Sequence, residues 1–599
     1  MKKLLLLSLF FLGAIEQVKS QDLNLIVKPR PADFEYLSSP DSLGIREQLL
    51  MPNLGNRNIS AEQKLPYPII FIHGLNSSSA VWIDLGNQLI NRGLSSGGRI
   101  DFCLNDNGNN QTSNKNVWTN TNNNIPAADI ALYTSMTDLT VADFYLLNFN
   151  VDNFGRSPSN PNFTDVLSNE AAIVKQGVAL KIAIQMVLLK TGRDKVILMG
   201  HSMGGLAARE YIQNPINWQP DGNHHVAKLI TTGTPHGGFT GINASPATGI
   251  DEKSEAYRDL KKSYTVSGNN GVYLYGGNEN YSTMNNNLLY DFYNVDVNCN
   301  SVDADNSYVV GLNEKSLSLN LDYAYIVGHC TNCFLLQGLI QGDGIVRSEN
   351  ANLKNFYTLP SPRNEFIYTA SAINLVIGLH SDLPKAITVN LQALDEPNQL
   401  WLAYGVDYNI TYKGFIYNQP DNGYTYDYDD YKFTVTNNSI VNIFINNISS
   451  TTLFARIFDI NGIQIGTTYS GNSSNPINIT NSLLPGEYYL EIYGTPVDLS
   501  IINSYNFNLS STLSSEDFVL ENSIKVYPNP FSNNLTIEAN EPILKVEIYN
   551  MLGQLVKSKT SQNLNENLTD IELSELAQGN YLAKIYTEAN VKFSKIIKK

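Results

Sequence analysis

From about residue 60 to 385 the chain alternates short apolar runs with stretches of helical period. Beyond about 395 short alternating strands take over. Pro68-Ile69-Ile70-Phe71-Ile72 is a continuous apolar run of strand length, the pattern of a strand buried on both faces. Lys195-Val196-Ile197-Leu198-Met199 and Leu229-Ile230-Thr231-Thr232 repeat it, and Ser168 to Leu189 reads as a helix that stops at Gly192. Strands alternating with helices predict an α/β domain with a doubly wound, mainly parallel sheet. Two polar stretches interrupt the pattern. The Asn- and Thr-rich segment from Asn105 to Asn124 reads as an exposed loop, and Gly241 to Asp322 reads as a cap or lid insertion.

After residue 395 the period becomes two. Tyr431, Phe433 and Val435 alternate with polar residues, as do Val441, Ile443 and Ile445, with turns at Asn461-Gly462 and Pro485-Gly486. Short strands at this spacing predict a β-sandwich over 395–512. A second all-β module follows over 522–599. Its runs Val526-Tyr527-Pro528-Asn529-Pro530-Phe531, Val546-Glu547-Ile548-Tyr549-Asn550-Met551-Leu552-Gly553-Gln554 and Gln578-Gly579-Asn580-Tyr581-Leu582-Ala583-Lys584-Ile585 are punctuated by Pro, Asn or Gly.

Composition changes this picture in three places. With 599 residues several domains are expected, and a hydrophobic fraction of 42% suffices for packed cores. A formal net charge of −16 with 40 Lys plus Arg argues against nucleic acid as a partner, because phosphate binding needs clustered cations. Lys2 and Lys3, the apolar stretch from Leu4 to Gly13 and the small Ser20 read as a signal peptide over 1–20, which puts the remainder outside the cell and the catalytic-type domain at 21–394. No later run reaches the roughly 20 apolar residues of a membrane span. Cys103, Cys299, Cys330 and Cys333 lack the second CxxC of a zinc ribbon and suggest one or two disulfides near the C-terminal face of the sheet, with the pairing open.

The candidate chemistry centres on Gly200-His201-Ser202-Met203-Gly204, between a buried strand and the helical pattern Leu206-Ala207-Ala208-Arg209-Glu210-Tyr211. So sharp a strand-to-helix turn strains its central residue and demands small neighbours, which Gly200 and Gly204 supply; Ser202 is the candidate nucleophile. A serine needs a general base. Of seven histidines, His73 follows the first strand, His201 precedes the nucleophile and points away from it, His224 and His225 precede a strand, His236 ends that strand, and His329 comes too early. His380, after an apolar run, is the candidate base, in the chain order Ser, acid, His. Asp343, between Gly342 and Gly344, is the candidate acid, with Asp322 and Glu349 as rivals. The backbone N–H groups of Met203 and Leu75 are the candidate oxyanion donors. This chemistry calls for no cofactor.

These motifs resemble known families. Phe71-Ile72-His73-Gly74, Gly200-His201-Ser202-Met203-Gly204-Gly205, Gly233-Thr234-Pro235-His236-Gly237-Gly238, Gly342-Asp343-Gly344-Ile345-Val346 and His380 are similar to bacterial secreted lipases and the inositol-deacylase-like hydrolases. The resemblance implies the α/β-hydrolase fold and cleavage of carboxylic esters of lipid-like substrates through an acyl-enzyme. The alternatives are phospholipid, glycolipid or polyester deacylation, then a peptidase, then a non-catalytic binding or adhesion protein. In some of these lipases an Asp shortly after the catalytic His helps hold a structural calcium, and Asp382 stands there. Asp427-Tyr428-Asp429-Asp430-Tyr431-Lys432-Phe433 and Leu484-Pro485-Gly486-Glu487-Tyr488-Tyr489-Leu490 resemble the bacterial prepeptidase C-terminal domain. The module at 522–599 resembles the C-terminal sorting domain of type IX secretion substrates, which implies that machinery as a partner and a secreted or surface-attached product. The sequence leaves the oligomeric state open. Because every candidate catalytic residue precedes Asp382, a chain ending near residue 395 is expected to keep activity on small soluble esters.

Overall fold

The computed structural model describes residues 63–106, 129–239, 250–251, 254–260, 279–280, 308–309, 312–330, 342–359, 365–370, 379–417, 426–449, 452–495, 503–513, 524–539, 542–550, 553–560, 567–587 and 591–599. The signal peptide, Cys299, Cys333, nearly all of the Asn-rich loop and much of the 241–322 insertion lie outside them. Among the described residues no helix is long and apolar enough to cross a membrane.

The apolar runs become the centre of an eight-stranded sheet. Its strands are β1 (Ile69–Ile72), β2 (Ser96–Cys103), β3 (Ala131–Leu132), β4 (Phe144–Asn148), β5 (Val196–His201), β6 (Val226–Thr232), β7 (Asp322–Cys330) and β8 (Glu365–Ala370), in the order β8-β7-β6-β5-β1-β4-β2-β3. Every neighbouring pair is parallel except β2 with β3. Strands β1, β4, β5 and β6 are buried along their whole length, as strands covered on both faces must be. The helices that connect them are α1 (Ile83–Asn91), α2 (Ile173–Thr191) and α3 (Met203–Gln213). Helix α2 starts five residues later than the periodicity suggests, because Ser168–Glu170 form a separate 3-10 turn, and it ends at Gly192 in the left-handed region. The expected α/β, mainly parallel architecture is the one observed.

A short helix of the insertion, α4 (Glu255–Leu260), is tied to the amino end of α2. Glu255 accepts from the Ala172 N–H at 3.1 Å and Asp259 from the Ile173 N–H at 2.9 Å. These carboxylates satisfy donors that a helix start leaves open. Lys175, wholly buried, pairs with Glu255 at 3.0 Å. Helix α4 is thus fixed by buried charge.

The described residues divide into two compact units. One holds this sheet and most of the all-β region to residue 510; the other holds the C-terminal module from 511 with short parts of three strands at 435–441 and 481–485. In the first unit α5 (Ile387–Leu394) leads into the β-sandwich. Its strands are β9 (Tyr404–Gly405), β10 (Thr411–Phe415), β11 (Asp427–Val435), β12 (Ser439–Asn446), β13 (Leu453–Asp459), β14 (Gln464–Gly471), β15 (Ile477–Leu483), β16 (Gly486–Gly494) and β17 (Ser504–Leu513), in sheets β9-β11-β16-β13-β14 and β10-β17-β12-β15. Tyr431, Phe433, Val435, Val441, Ile443 and Ile445 are buried, in the predicted alternation. In the second unit β18 (Ile524–Tyr527), β19 (Asn534–Ala539) and β22 (Leu568–Glu572) form one sheet, and β20 (Ile543–Asn550), β21 (Leu555–Thr560), β23 (Gly579–Thr587) and β24 (Val591–Lys598) the other. Phe531, Ile537, Ile548 and Ile585 lie in its core.

Within the first unit the sandwich joins the α/β sheet through a buried interface. The Tyr67 hydroxyl accepts from the Gly405 N–H at 2.9 Å and its ring meets Tyr404 at 5.1 Å. The Lys413 N–H donates to the Lys64 carbonyl at 3.0 Å, and Arg193 binds Asp407 at 3.0 Å and the Tyr412 hydroxyl at 2.9 Å. This contact revises the expectation for a chain cut near 395. The cut would expose Tyr67, Leu89 and Leu94, which line the seam with Tyr404 and Phe415. Each such side chain contributes roughly 1.5–3 kcal/mol when buried. We expect the truncated chain to melt at least about 10 °C below the full chain or to aggregate, which differential scanning fluorimetry will read; equal melting temperatures would refute a stabilising interface.

Candidate active site

Strand β5 ends at the centre of the sheet and α3 begins two residues later, with Ser202 between them. Ser202 has φ 53° and ψ −128°, a conformation that costs a non-glycine residue about 1–3 kcal/mol and persists only where its surroundings enforce it. The glycines make that possible. A Cβ on Gly200 would lie 2.4 Å from the Gly205 nitrogen, one on Gly204 2.5 Å from the His73 carbonyl oxygen, and one on Gly74 2.6 Å from Ser202 Cβ. The turn therefore packs directly against the loop after β1.

His380 opens a 3-10 segment, His380–Lys385, and its Nε2 lies 2.9 Å from Ser202 Oγ. Its Nδ1 lies 2.7 Å from Asp343 Oδ2. A carboxylate accepts only, so Nδ1 carries the hydrogen and Nε2 accepts from the Ser202 hydroxyl. Asp343 Oδ1 takes the N–H groups of Ile345 at 2.9 Å and Val346 at 2.7 Å, which fixes the carboxylate within the turn completed by Gly344 at φ +99°. All three are buried, the acid most deeply: Asp343 is 1% exposed, Ser202 and His380 each 8%. The structure brings together the three residues singled out in the sequence.

Met203 is the first residue of α3, so its N–H is one of the donors a helix start leaves open, and the positive end of the helix lies beneath Ser202. Leu75 follows Gly74 and packs with Met203, Ala172, Ile173, Ala256, Leu260 and Leu312 in an apolar cluster. The chain turns at Asn76, whose N–H donates to the Asn169 carbonyl at 3.2 Å. His73 fixes this loop: its Nδ1 donates to the Gly74 carbonyl and its Nε2 accepts from the Phe149 N–H, each at 2.9 Å. Burial holds the His73 imidazole uncharged, its pKa lowered to about 4.

The other acids and histidines lie elsewhere. Asp322 starts β7 and pairs with Lys228 at 2.9 Å, and Glu349 is exposed beside Arg347. His236 bonds Arg209 and Thr231, His224 faces Ser318, and His225 pairs with Asp221. Two glycines escaped the sequence reading. A Cβ on Gly328 would lie 2.7 Å from Asp343 Cβ, and one on Gly233 (φ +57°) 3.1 Å from Asp343 Oδ2. They clear the space for the acid; Gly233 had a signal, standing at a strand end before Thr234-Pro235-His236.

The cysteine expectation narrows. Cys103 is a buried free thiol, which removes the two-bridge option. Cys330 is disulfide-bonded to a partner outside the described residues, and its N–H donates to the Gly342 carbonyl at 2.7 Å, beside Asp343. Asp382 pairs with Lys385 at 3.0 Å. Among the described residues the side chains that gather as a metal-ligating group are Asp395, Glu396 and Asp429, with ligand atoms within 4.8 Å of one another. All three are buried.

A family model described as the alpha/beta hydrolase fold matches residues 67–261, and a secretion-system C-terminal sorting domain matches residues 525–599. The N-terminal domain has the α/β-hydrolase fold. A chain with this type IX sorting domain is a substrate of that secretion machinery and is secreted or displayed on the cell surface. The hydrolase match includes Ser202 but stops before Asp343 and His380, so the evidence for those two is their geometry. Among solved structures, a gene product from Listeria innocua is similar at 15% identity and a TM-score of 0.30, over 56% of this chain and 95% of that one. The pre-peptidase C-terminal domain of a collagenase from Bacillus anthracis is similar at 20% identity and a TM-score of 0.16, over 19% of this chain and 99% of that one. A periplasmic lysozyme inhibitor from Aeromonas hydrophila gives 15% identity and a TM-score of 0.14, over 18% and 94%. No curated protein matches the chain.

Two measurements test this geometry. Gly74→Ala should lower kcat/KM on a small ester about 100-fold, because its Cβ must displace Ser202 and misplacement of about 1 Å costs on that order. Gly192→Ala, whose Cβ meets nothing within 4 Å, should cost stability and spare turnover; equal losses would refute the packing account. The acidic group gives a pH dependence. Burial raises the Glu396 carboxyl to about 7 and moves Asp429 in the same direction. The folded state then holds protons that the unfolded chain releases, so with a chelator present the Glu396 contribution to stability falls as pH rises from about 4.5 to 7. Glu396→Gln should make that slope shallower by up to about 1.4 kcal/mol per pH unit; an unchanged slope in denaturant titrations would refute it.

Proposed function

We propose that the protein is a secreted serine esterase or lipase that hydrolyses carboxylic esters of lipid-like substrates through an acyl-enzyme intermediate. The observation that carries the reading is the unbroken hydrogen-bonded row Asp343–His380–Ser202 at the end of a strained strand-to-helix turn. Ser202 Oγ attacks the ester carbonyl carbon as its proton passes to His380 Nε2. The carbonyl oxygen becomes an oxyanion facing the Met203 and Leu75 N–H groups, which act where water is largely excluded. Asp343 keeps the imidazole in the Nδ1–H tautomer and stabilises the imidazolium. The alcohol leaves with the proton from His380. Water, deprotonated by the same Nε2, then releases the acid and restores Ser202.

The preference for lipid-like esters rests on the resemblance of Gly233-Thr234-Pro235-His236-Gly237-Gly238 to the secreted lipases. p-Nitrophenyl esters of graded acyl length, beside peptide substrates, give the decisive assay: ester turnover supports the reading, and peptide cleavage alone overturns it. Ser202→Ala should cost on the order of 10⁶ in kcat, and a fluorophosphonate should label Ser202 alone. Asp343→Asn should cost up to about 10⁴, because an amide does not favour the required tautomer. His380→Ala should cost at least as much, and the double variant should be little worse than the poorer single. An active Asp343→Asn beside a crippled Asp322→Asn would overturn the choice of acid.

A further inference from the structure

A general base must be held by its main chain as well as its side chain, since about 1 Å of drift suffices to disable it. His380 is tethered at both main-chain polar groups. Its N–H donates to the Asp343 carbonyl at 3.0 Å. Its carbonyl lies 2.9 Å from Nε2 of His201, the last residue of β5 and the neighbour of Ser202.

The His201 imidazole does not meet the nucleophile. It is 5% exposed and packs between the rings of Trp82, at 6.4 Å, and His380, at 4.8 Å. A carbonyl oxygen only accepts, so His201 Nε2 carries the hydrogen. Its Nδ1 is buried with no hydrogen-bond partner. A neutral ring fits that setting, and burial together with the neighbouring His380 disfavours its protonation. Neutrality matters here, because a second positive charge 4.8 Å away would oppose the imidazolium that forms on His380.

We propose that His201 is a positioning residue: as an uncharged Nε2–H donor it locks the main-chain carbonyl of His380 to the strand that presents Ser202, so nucleophile and base are fixed to one rigid element. The inference rests on the esterase reading above. It assigns His201 no contact with substrate and no proton transfer.

The test uses the full chain and p-nitrophenyl butyrate. His201→Leu removes the donor, His201→Gln places an amide N–H about where Nε2 stands, and His201→Asn holds an amide too short to reach the carbonyl. We expect His201→Leu and His201→Asn to lower kcat roughly 10- to 100-fold with KM within about threefold. The rate of fluorophosphonate labelling at Ser202 should fall in parallel, since it depends on the same base. His201→Gln should return both rates to within about fivefold of wild type. If His201→Leu does not fold, the Gln and Asn variants carry the test between them. Wild-type kcat in folded His201→Leu or His201→Asn overturns the inference, as does a folded His201→Gln as slow as the Asn variant. Ser202→Ala and His380→Ala run beside them. Activity in those two would sink the esterase reading itself; inactivity there with insensitivity at position 201 would sink only the role of His201.

Discussion

The structure depends on one strained residue. Ser202 at φ 53° needs a backbone that closes around it without side chains, and Gly74, Gly200, Gly204 and Gly205 provide it. Each stands where a Cβ would strike backbone or a neighbouring side chain within 2.6 Å. The cost, about 1–3 kcal/mol, is offset by burial of β1, β5 and α3 around the turn. Relaxing it would move the hydroxyl away from His380 and disturb the start of α3 together.

The parallel sheet supplies the remaining geometry. Every parallel strand delivers its outgoing loop to the same edge, so residues far apart in sequence converge there. Ser202 leaves β5, Gly233 leaves β6, Asp343 follows β7, and His380 comes after β8. The acid lies deepest and draws on backbone N–H groups for its ligands, which frees one oxygen for the imidazole. The histidines illustrate how environment divides one residue type among tasks. His73 and His201 are driven neutral by burial and serve as hydrogen-bonding struts, while His380 directs Nε2 to the serine and Nδ1 to the acid.

Much of this was legible in the residues. The continuous apolar runs gave the central strands to within a few residues, because strands covered on both faces have no polar side to blur the signal. Gly200 and Gly204 around Ser202, and the glycines flanking Asp343, marked turns whose backbone demands are specific. The flanking glycines favoured Asp343 over Asp322, which proved to face Lys228 at the other end of β7. What escaped detection depends on tertiary contact. Gly328 sits inside an apolar strand and has no local reason to be glycine; the reason is Asp343. His201 pointed away from the nucleophile, as its position implied, yet nothing local indicated the carbonyl it would meet 179 residues later. Asp429 was read within a strand motif and Asp395 only as the start of the sandwich, and only folding gathers them with Glu396.

The segment that bears His380 also explains why the sandwich is more than an appendage. From His380 the chain runs through a 3-10 turn into α5 and reaches Asp395 and Glu396. Asn390, wholly buried, binds the carbonyls of Leu383, Pro384 and Ala386 at 2.8–3.1 Å, so turn and helix form one piece. One end of that piece is held by His201 on β5 and the other by Lys228 on β6, whose ammonium donates to the Asp395 carbonyl at 2.6 Å. The two central strands thus grip it at both ends. Just beyond the second grip, the Tyr431 hydroxyl of β11 donates to the buried Glu396 carboxylate at 3.2 Å. The sandwich therefore joins the hydrolase domain at the far end of the same segment that positions the base.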